Sequence, residues 1–174
     1  DSALHCANSA SVRYVQLMDR PPDLCHYGNR GTSGIDGCTS TALGHAQATN
    51  RLVTLLTGDV AFLYDAAAFW NDRLPSNLRV VILKGGNIFR IIAGPRTWEH
   101  FERLQETYHE HDLSGLGQTY GVAYRRMKEG ESTAELFQWL YQQDSATVLE
   151  IPTPRLTNPT ILGRYFKAIC AENT

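Results

Sequence analysis

Apolar and polar positions along the 174 residues fall into two alternating kinds of segment. The run "LRVVILKGG" (78–86) is apolar without alternation, which predicts a strand buried on both faces. "RLVTLLTGD" (51–59) reads as another apolar strand and ends on Gly58-Asp59. "SALHCA" (2–7), "DLCHYG" (23–28), "VAYRRM" (122–127) and "ATVLEIPT" (146–153) complete a set of about six. Helical patterns lie between them. One covers 9–19, and a small-residue helix able to pack closely on a sheet covers 34–49. A third runs over 61–72 and is closed by the turn "RLPSN". Others are expected near 97–106, 113–120 and 132–142. The last, "NPTILGRYFKAIC", takes Asn158 as N-cap and Pro159 at its first position.

Strand and helix alternating at this spacing predict one domain over 1–174. Its class is α/β, three layers (α/β/α) around a mainly parallel sheet. In such folds ligands bind beyond the carboxyl ends of the strands. That selects four loops: Asn8-Ser9, Gly28 to Gly37, Gly58-Asp59, and Lys84 to Phe89.

Composition narrows the function classes. Hydrophobic residues are 43% and charged residues 20%, a globular balance. A net charge of −2 with no basic run argues against nucleic acid as the main partner. No apolar stretch approaches the ~20 residues of a membrane span. The start "DSALHCANSA" lacks the basic region and long apolar core of a signal peptide. The four cysteines form no C-x-x-C pair, so reduced thiols in a cytoplasmic protein are expected. The chain opens without Met and without a capped first element, as if cut from something longer.

Each strand-end loop carries candidate chemistry beside a plainer reading. Asp59, just past a buried strand, is a hard oxygen donor suited to Mg²⁺, and Gly58 lets a phosphate approach backbone N–H groups. Gly-Asp after a strand is also an ordinary helix cap. "GNRGTSGIDG" (28–37) offers several N–H groups before a helix, which suits an anion, and Arg30 can fork onto a carboxylate or phosphate. It is neither G-x-G-x-x-G nor a Walker loop, and a glycine-rich turn with a solvated arginine fits equally. Ser9 and Arg13 share a helix face at i, i+4, within reach of a bound carboxylate. An N-cap serine and a surface arginine are the alternative. In "ILKGGNIFRIIAGP", Asn87 offers an amide oxygen to a metal and Ile88 and Phe89 can flank an organic ring. A turn followed by core residues is the alternative. "HEH" (109–111) does not share a helix face and reads as polar loop. Trp70, Trp98 and Trp139 read as packing residues, and Tyr64 and Asp65 as residues that pack and cap their helix.

The order "NSASVRY", "GNRGTSGIDGCTSTALG", "TGDVAFLYD", "GGNIF" and "TPRLTNPTILGRYF" resembles the C-terminal part of one thiamine-diphosphate enzyme family. These are the 2-succinyl-5-enolpyruvyl-6-hydroxy-3-cyclohexene-1-carboxylate synthases of menaquinone biosynthesis, and the likeness covers nearly the whole chain. The resemblance implies a diphosphate-binding domain, with the pyrimidine-binding and middle domains absent. It makes Asp59 a ligand of Mg²⁺ or Mn²⁺ on the cofactor, with Asn87 a second candidate. Ser33, Ile35, Gly58, Ile88 and Phe89 become cofactor neighbours, Ile35 as the wedge that keeps the cofactor bent. Ser9, Arg13 and Arg30 become contacts to the carboxylates of 2-oxoglutarate and isochorismate. The family reaction decarboxylates 2-oxoglutarate and adds the resulting unit to isochorismate.

Two departures from the family pattern follow. The family carries an asparagine pair after the strand matched by "RVVIL", where this chain has the shorter "LKGGN". The activating glutamate belongs to the pyrimidine-binding domain, in a homodimer or homotetramer. The resemblance therefore implies no catalytic residue in this chain and an inactive isolated domain. Two alternatives stand beside it: a non-catalytic derivative that holds no cofactor, or another thiamine-diphosphate decarboxylase or synthase. The chain's Val60, where those other families carry a further glycine, weighs against the last.

Overall fold

The computed structural model describes residues 2–19, 21–85, 87–93 and 99–172. Six strands form one sheet: β1 (Ser2–Cys6), β2 (Cys25–Tyr27), β3 (Leu52–Gly58), β4 (Leu78–Lys84), β5 (Ala123–Arg126) and β6 (Thr147–Pro152). Their order is β2-β1-β3-β4-β6-β5, and every neighbouring pair is parallel. The expected mainly parallel sheet is thus wholly parallel. Parallel pairing requires long crossovers, and the helices supply them.

Adjacent residues of the central strands point to opposite faces. Val53, Leu55, Val80, Ile82 and Val148 pack on one side with α2 (Cys38–Ala48), α3 (Asp59–Tyr64) and α5 (Ser114–Tyr120). Val81 and Leu149 pack on the other with Leu136 and Leu140 of α6 (Thr133–Tyr141). Each fully buried Leu, Ile or Val stabilises by about 1.5–3 kcal/mol, so this doubly covered sheet is the frame. Ala42 and Ala46 let α2 lie close on it. α1 (Ala10–Gln16), α4 (Ile88–Ala93) and α7 (Asn158–Glu172) complete the helices.

The amino-terminal entry of the sheet is closed by hydrogen bonds. Arg79, only 4% exposed, donates to the carbonyls of Ser76, Leu78, Gln143 and Ser145. Asn77 Nδ2 lies 2.7–3.1 Å from the carbonyls of Ala46, Thr49 and Arg51, which anchors the "RLPSN" turn.

Several local expectations change. The 61–72 helix starts earlier, at Asp59, and breaks at Asp65 into a 3-10 turn, Ala66–Trp70. Trp70, expected to pack, is 81% exposed. Trp98 and the start of the expected 97–106 helix lie outside the described residues, and Glu102–Glu106 forms a short π-helical stretch. α4 was not anticipated. Asn87 nucleates it, its Oδ1 accepting the Phe89 N–H at 2.8 Å.

Candidate cofactor and metal site

The carboxyl ends of β1, β3 and β4 open on a cleft of about 90 Å³. Ser9, Ile35, Gly58, Asp59, Asn87 and Phe89 line it, with Asn8 and Thr107 among the others. Six residues singled out from the sequence therefore meet at one place.

Asn8, at the end of β1, organises the first rim and is 2% exposed. Its Nδ2 donates to the carbonyls of Asn29 (2.8 Å) and Gly34 (2.6 Å), while its Oδ1 accepts from Arg30 Nη1 at 2.7 Å. One side chain thus straps the glycine-rich loop to the sheet and aims its arginine. Asn29 continues the strap, donating to the Gly37 carbonyl and to Thr41 Oγ1 at the start of α2. Gly37, at φ 71°, holds a left-handed conformation that suits glycine. Arg13 donates to the Ser9 carbonyl at 2.7 Å, and Ser33 Oγ to the Arg30 carbonyl at 3.3 Å. Arg13, Arg30 and Ser33 hold the cleft's border rather than its lining. Ile88 is buried beside it.

The second rim is Asp59, first residue of α3. Its Oδ1 accepts from the Val60 N–H at 2.9 Å and its Oδ2 from the Gly85 N–H at 3.1 Å. Asp59 thus opens α3 while its carboxylate faces the cleft. Gly85 sits at φ 90°, and a Cβ there would come 3.1 Å from the Thr153 carbonyl. A side chain at 85 would push away the N–H that meets Asp59. Lys84 turns to Glu150 (3.7 Å) and the His111 carbonyl (2.5 Å). Asn87 is held at both ends, by Phe89 N–H and by the Glu106 carbonyl.

Backbone strain marks the same place. Among the described residues, the non-glycine positions at positive φ are Ser9 (74°), Ser33 (59°) and Thr107 (55°). Such conformations cost about 1–3 kcal/mol each and gather at ligand sites. Two of the three line the cleft and the third lies in its glycine-rich loop.

Two residues of the site escaped the sequence. Asn8 was part of a loop to inspect but carried no role of its own. His109 was set aside with "HEH", yet its Nε2 lies 3.6 Å from Asp59 Oδ2. Burial holds the His109 pKa below its ordinary value, against the pull of Asp59. Tyr64, expected to pack, is exposed. Asp65 is the C-cap of α3, as expected, and it also accepts from Ser40 N and Oγ, tying α3 to α2.

A divalent cation fits these groups in part. Asp59 offers oxygen at the cleft, and Gly58 leaves open space where a Cβ would stand. Asn87 has one lone pair of its oxygen left beside its helix bond. Among the described residues no cluster of three or more His, Cys, Asp or Glu forms a closed metal cage, and no helix is long and apolar enough to cross a membrane.

Parallel sheet, strand order and strand-end cleft place the chain among α/β domains with the fold of thiamin diphosphate-dependent enzymes. A solved structure from Mycobacterium smegmatis, described as such an enzyme, matches 87% of this chain and 28% of its own at TM-score 0.58 and 21% identity. No protein-family profile matches. In sequence the chain is homologous to one segment of the 2-succinyl-5-enolpyruvyl-6-hydroxy-3-cyclohexene-1-carboxylate synthases. It is 40% identical over 169 residues to the synthase of Christiangramia forsetii and 43% identical over 159 residues to that of Desulfotalea psychrophila. These alignments cover 95% and 88% of this chain but 29% and 30% of the two relatives.

Proposed function

We propose that the chain is the diphosphate- and metal-binding domain of a thiamine-diphosphate-dependent synthase of menaquinone biosynthesis. In the whole protein it would serve a cytoplasmic transferase that acts on 2-oxoglutarate and isochorismate. The observation that carries this reading is the convergence of Asp59, Ile35, Asn87 and Phe89 on one strained cleft at the strand ends, in a chain homologous to those synthases.

Asp59 would hold Mg²⁺ or Mn²⁺, hard cations that take carboxylate oxygen, with Asn87 supplying a second oxygen. Ile35 and Phe89 give the cleft an apolar wall for an organic ring. Arg13 and Arg30 stand at the border, beside Ser9 in the lining, where two anionic substrates need positive charge. When bound, thiamine diphosphate supplies the carbon nucleophile that takes part in decarboxylation. The chain's own residues orient the cofactor, neutralise its diphosphate and receive the substrate carboxylates. The group that activates the cofactor would come from a pyrimidine-binding domain, in a homodimer or homotetramer, so the 174-residue chain alone is expected to be inactive.

Calorimetry with thiamine diphosphate and Mg²⁺ tests the binding claim. Saturable binding that needs the metal supports it. No binding, even with the rest of a homologous synthase supplied, favours a non-catalytic derivative. A turnover assay tests the second half: 2-oxoglutarate decarboxylation by the chain alone would contradict the expected inactivity.

A further inference from the structure

α7 is 15 residues long, and none of its described side chains is buried. Its apolar residues at 161, 162, 165, 166 and 169 share one stripe. Ile161 is nonetheless 55% exposed, and Tyr165, Phe166 and Ile169 are exposed with it. A helix of this length draws most of its stability from burying such a stripe. Between α7 and α1 runs an apolar groove of about 410 Å³. Tyr14 of α1, Leu17 and Met18 just beyond it, and Leu83 near the end of β4 form the opposite wall. Contiguous exposed apolar surface of this kind marks a place where something else binds.

The lining decides what that is. No charged side chain borders the groove, so an anionic substrate finds no counter-charge there. Most of its polar groups are spent on the chain itself. Thr153 Oγ1 donates to the Lys84 carbonyl at 2.8 Å, Asn158 Nδ2 to Thr153 Oγ1 at 3.2 Å, and the Tyr165 hydroxyl to the Leu17 carbonyl at 3.1 Å. A small-molecule site needs several polar groups aimed into it, whereas a groove of this character suits the apolar face of a protein helix. Position then selects the partner. Leu83 lines both this groove and the candidate cofactor cleft, so whatever fills the groove borders the cleft. We infer that the α1–α7 groove seats the pyrimidine-binding domain, which lays an apolar helix face against α7 and so reaches the cofactor. This inference rests on the proposed function and gives the absent domain its docking surface. The chain spans less than a third of the synthases it matches, and the remainder of such a protein is available to supply the cover. A second copy of this chain could cover the same stripe, but it would bring no activating group to the cleft.

Hydrogen exchange on the full 174-residue chain is the first measurement. Amides of 161–169 should exchange far faster than those of β4. Adding the part of the Christiangramia forsetii synthase that this chain does not match should slow them about tenfold or more. Ile161→Asp, at an exposed position, should leave the urea midpoint of the chain unchanged and weaken that association about tenfold or more. Ile161→Met, which keeps an apolar side chain, should retain it. Unchanged association in Ile161→Asp overturns the inference, as does protection that appears elsewhere but not at 161–169. Amides of 161–169 as slow as those of β4 in the chain alone also overturn it, because the stripe then needs no cover. A chain that sediments as a dimer, dissolved by Ile161→Asp, gives the groove to a second copy and overturns it as well. In each of these cases the proposed function stands if the unaltered chain binds thiamine diphosphate with Mg²⁺. Association through the groove without any cofactor binding overturns the proposed function instead.

Discussion

Two carboxylates share the crevice at the end of β4, and they are treated in opposite ways. Glu106 is 2% exposed and its Oε2 receives both Arg90 and Arg155, the latter at 2.9 Å. Glu102 extends the lattice to the same arginines at 3.0 and 3.1 Å, and Arg155 also lies over the Tyr108 ring at 3.9 Å. Asp59 has two backbone N–H groups and a histidine that stops short. One acid is neutralised inside the fold; the other faces a cleft with its charge uncompensated. Glu106 looks the more dramatic, yet its partners make it architecture. Asp59 is the acid with something left to bind.

The largest effect should come from breaking the first carboxylate. Glu106→Ala takes from Arg90, with only 5% of its side chain exposed, its buried partner and leaves it the half-exposed Glu102 at 3.0 Å. Removing the buried member of such a pair costs up to about 3–5 kcal/mol, read as a lowered midpoint in urea denaturation. A loss under about 1 kcal/mol would mean that the lattice is peripheral.

Acid sharpens the contrast from β1, on the far side of β3 from β4. Burial, then the neighbouring His45, lowers the His5 pKa from 6.5 to about 4. The unfolded chain therefore takes up this proton first. His5 contributes stability that is whole above pH 6.5 and is lost as pH falls from 6.5 to 4. The loss is on the order of 3 kcal/mol. His5→Phe should flatten the slope of stability across that window. Hydrogen bonding to Arg155 holds the Glu102 carboxyl below its usual pKa, so this member of the lattice resists protonation. An unchanged slope in His5→Phe would shift the acid sensitivity elsewhere.

A smaller effect is expected at Asn8. Asn8→Ala removes the strap from the glycine-rich loop and should cost about 2 kcal/mol, with faster proteolysis between 28 and 37. Equal proteolysis would show that the loop holds its shape without Asn8.

The frame was legible in the sequence because burial on both faces leaves a direct trace. The runs at 52–58, 78–84 and 147–152 are unbroken apolar stretches, or nearly so, and each is a central strand. The strand-end rule then selected loops that converge, and Ser9, Ile35, Gly58, Asp59, Asn87 and Phe89 line one cleft. What was missed depends on tertiary contact. α4 is six residues long and follows a turn, too short to show a period. The "HEH" spacing excludes a shared helix face, which is correct and irrelevant, because a loop brings His109 to Asp59. Asn8 looks like any polar residue after a strand, and only the fold sets two carbonyls and an arginine around it. Trp70 shows the reverse error, since an apolar side chain carries no mark of the surface it will face.

The most direct test puts two readouts on Asp59→Ala. Unfolding should shift by about 1 kcal/mol or less, because only two backbone contacts are lost. Calorimetric binding of thiamine diphosphate with Mg²⁺ should disappear. A variant that binds as tightly as the parent chain would contradict the assignment of Asp59 as the metal's carboxylate.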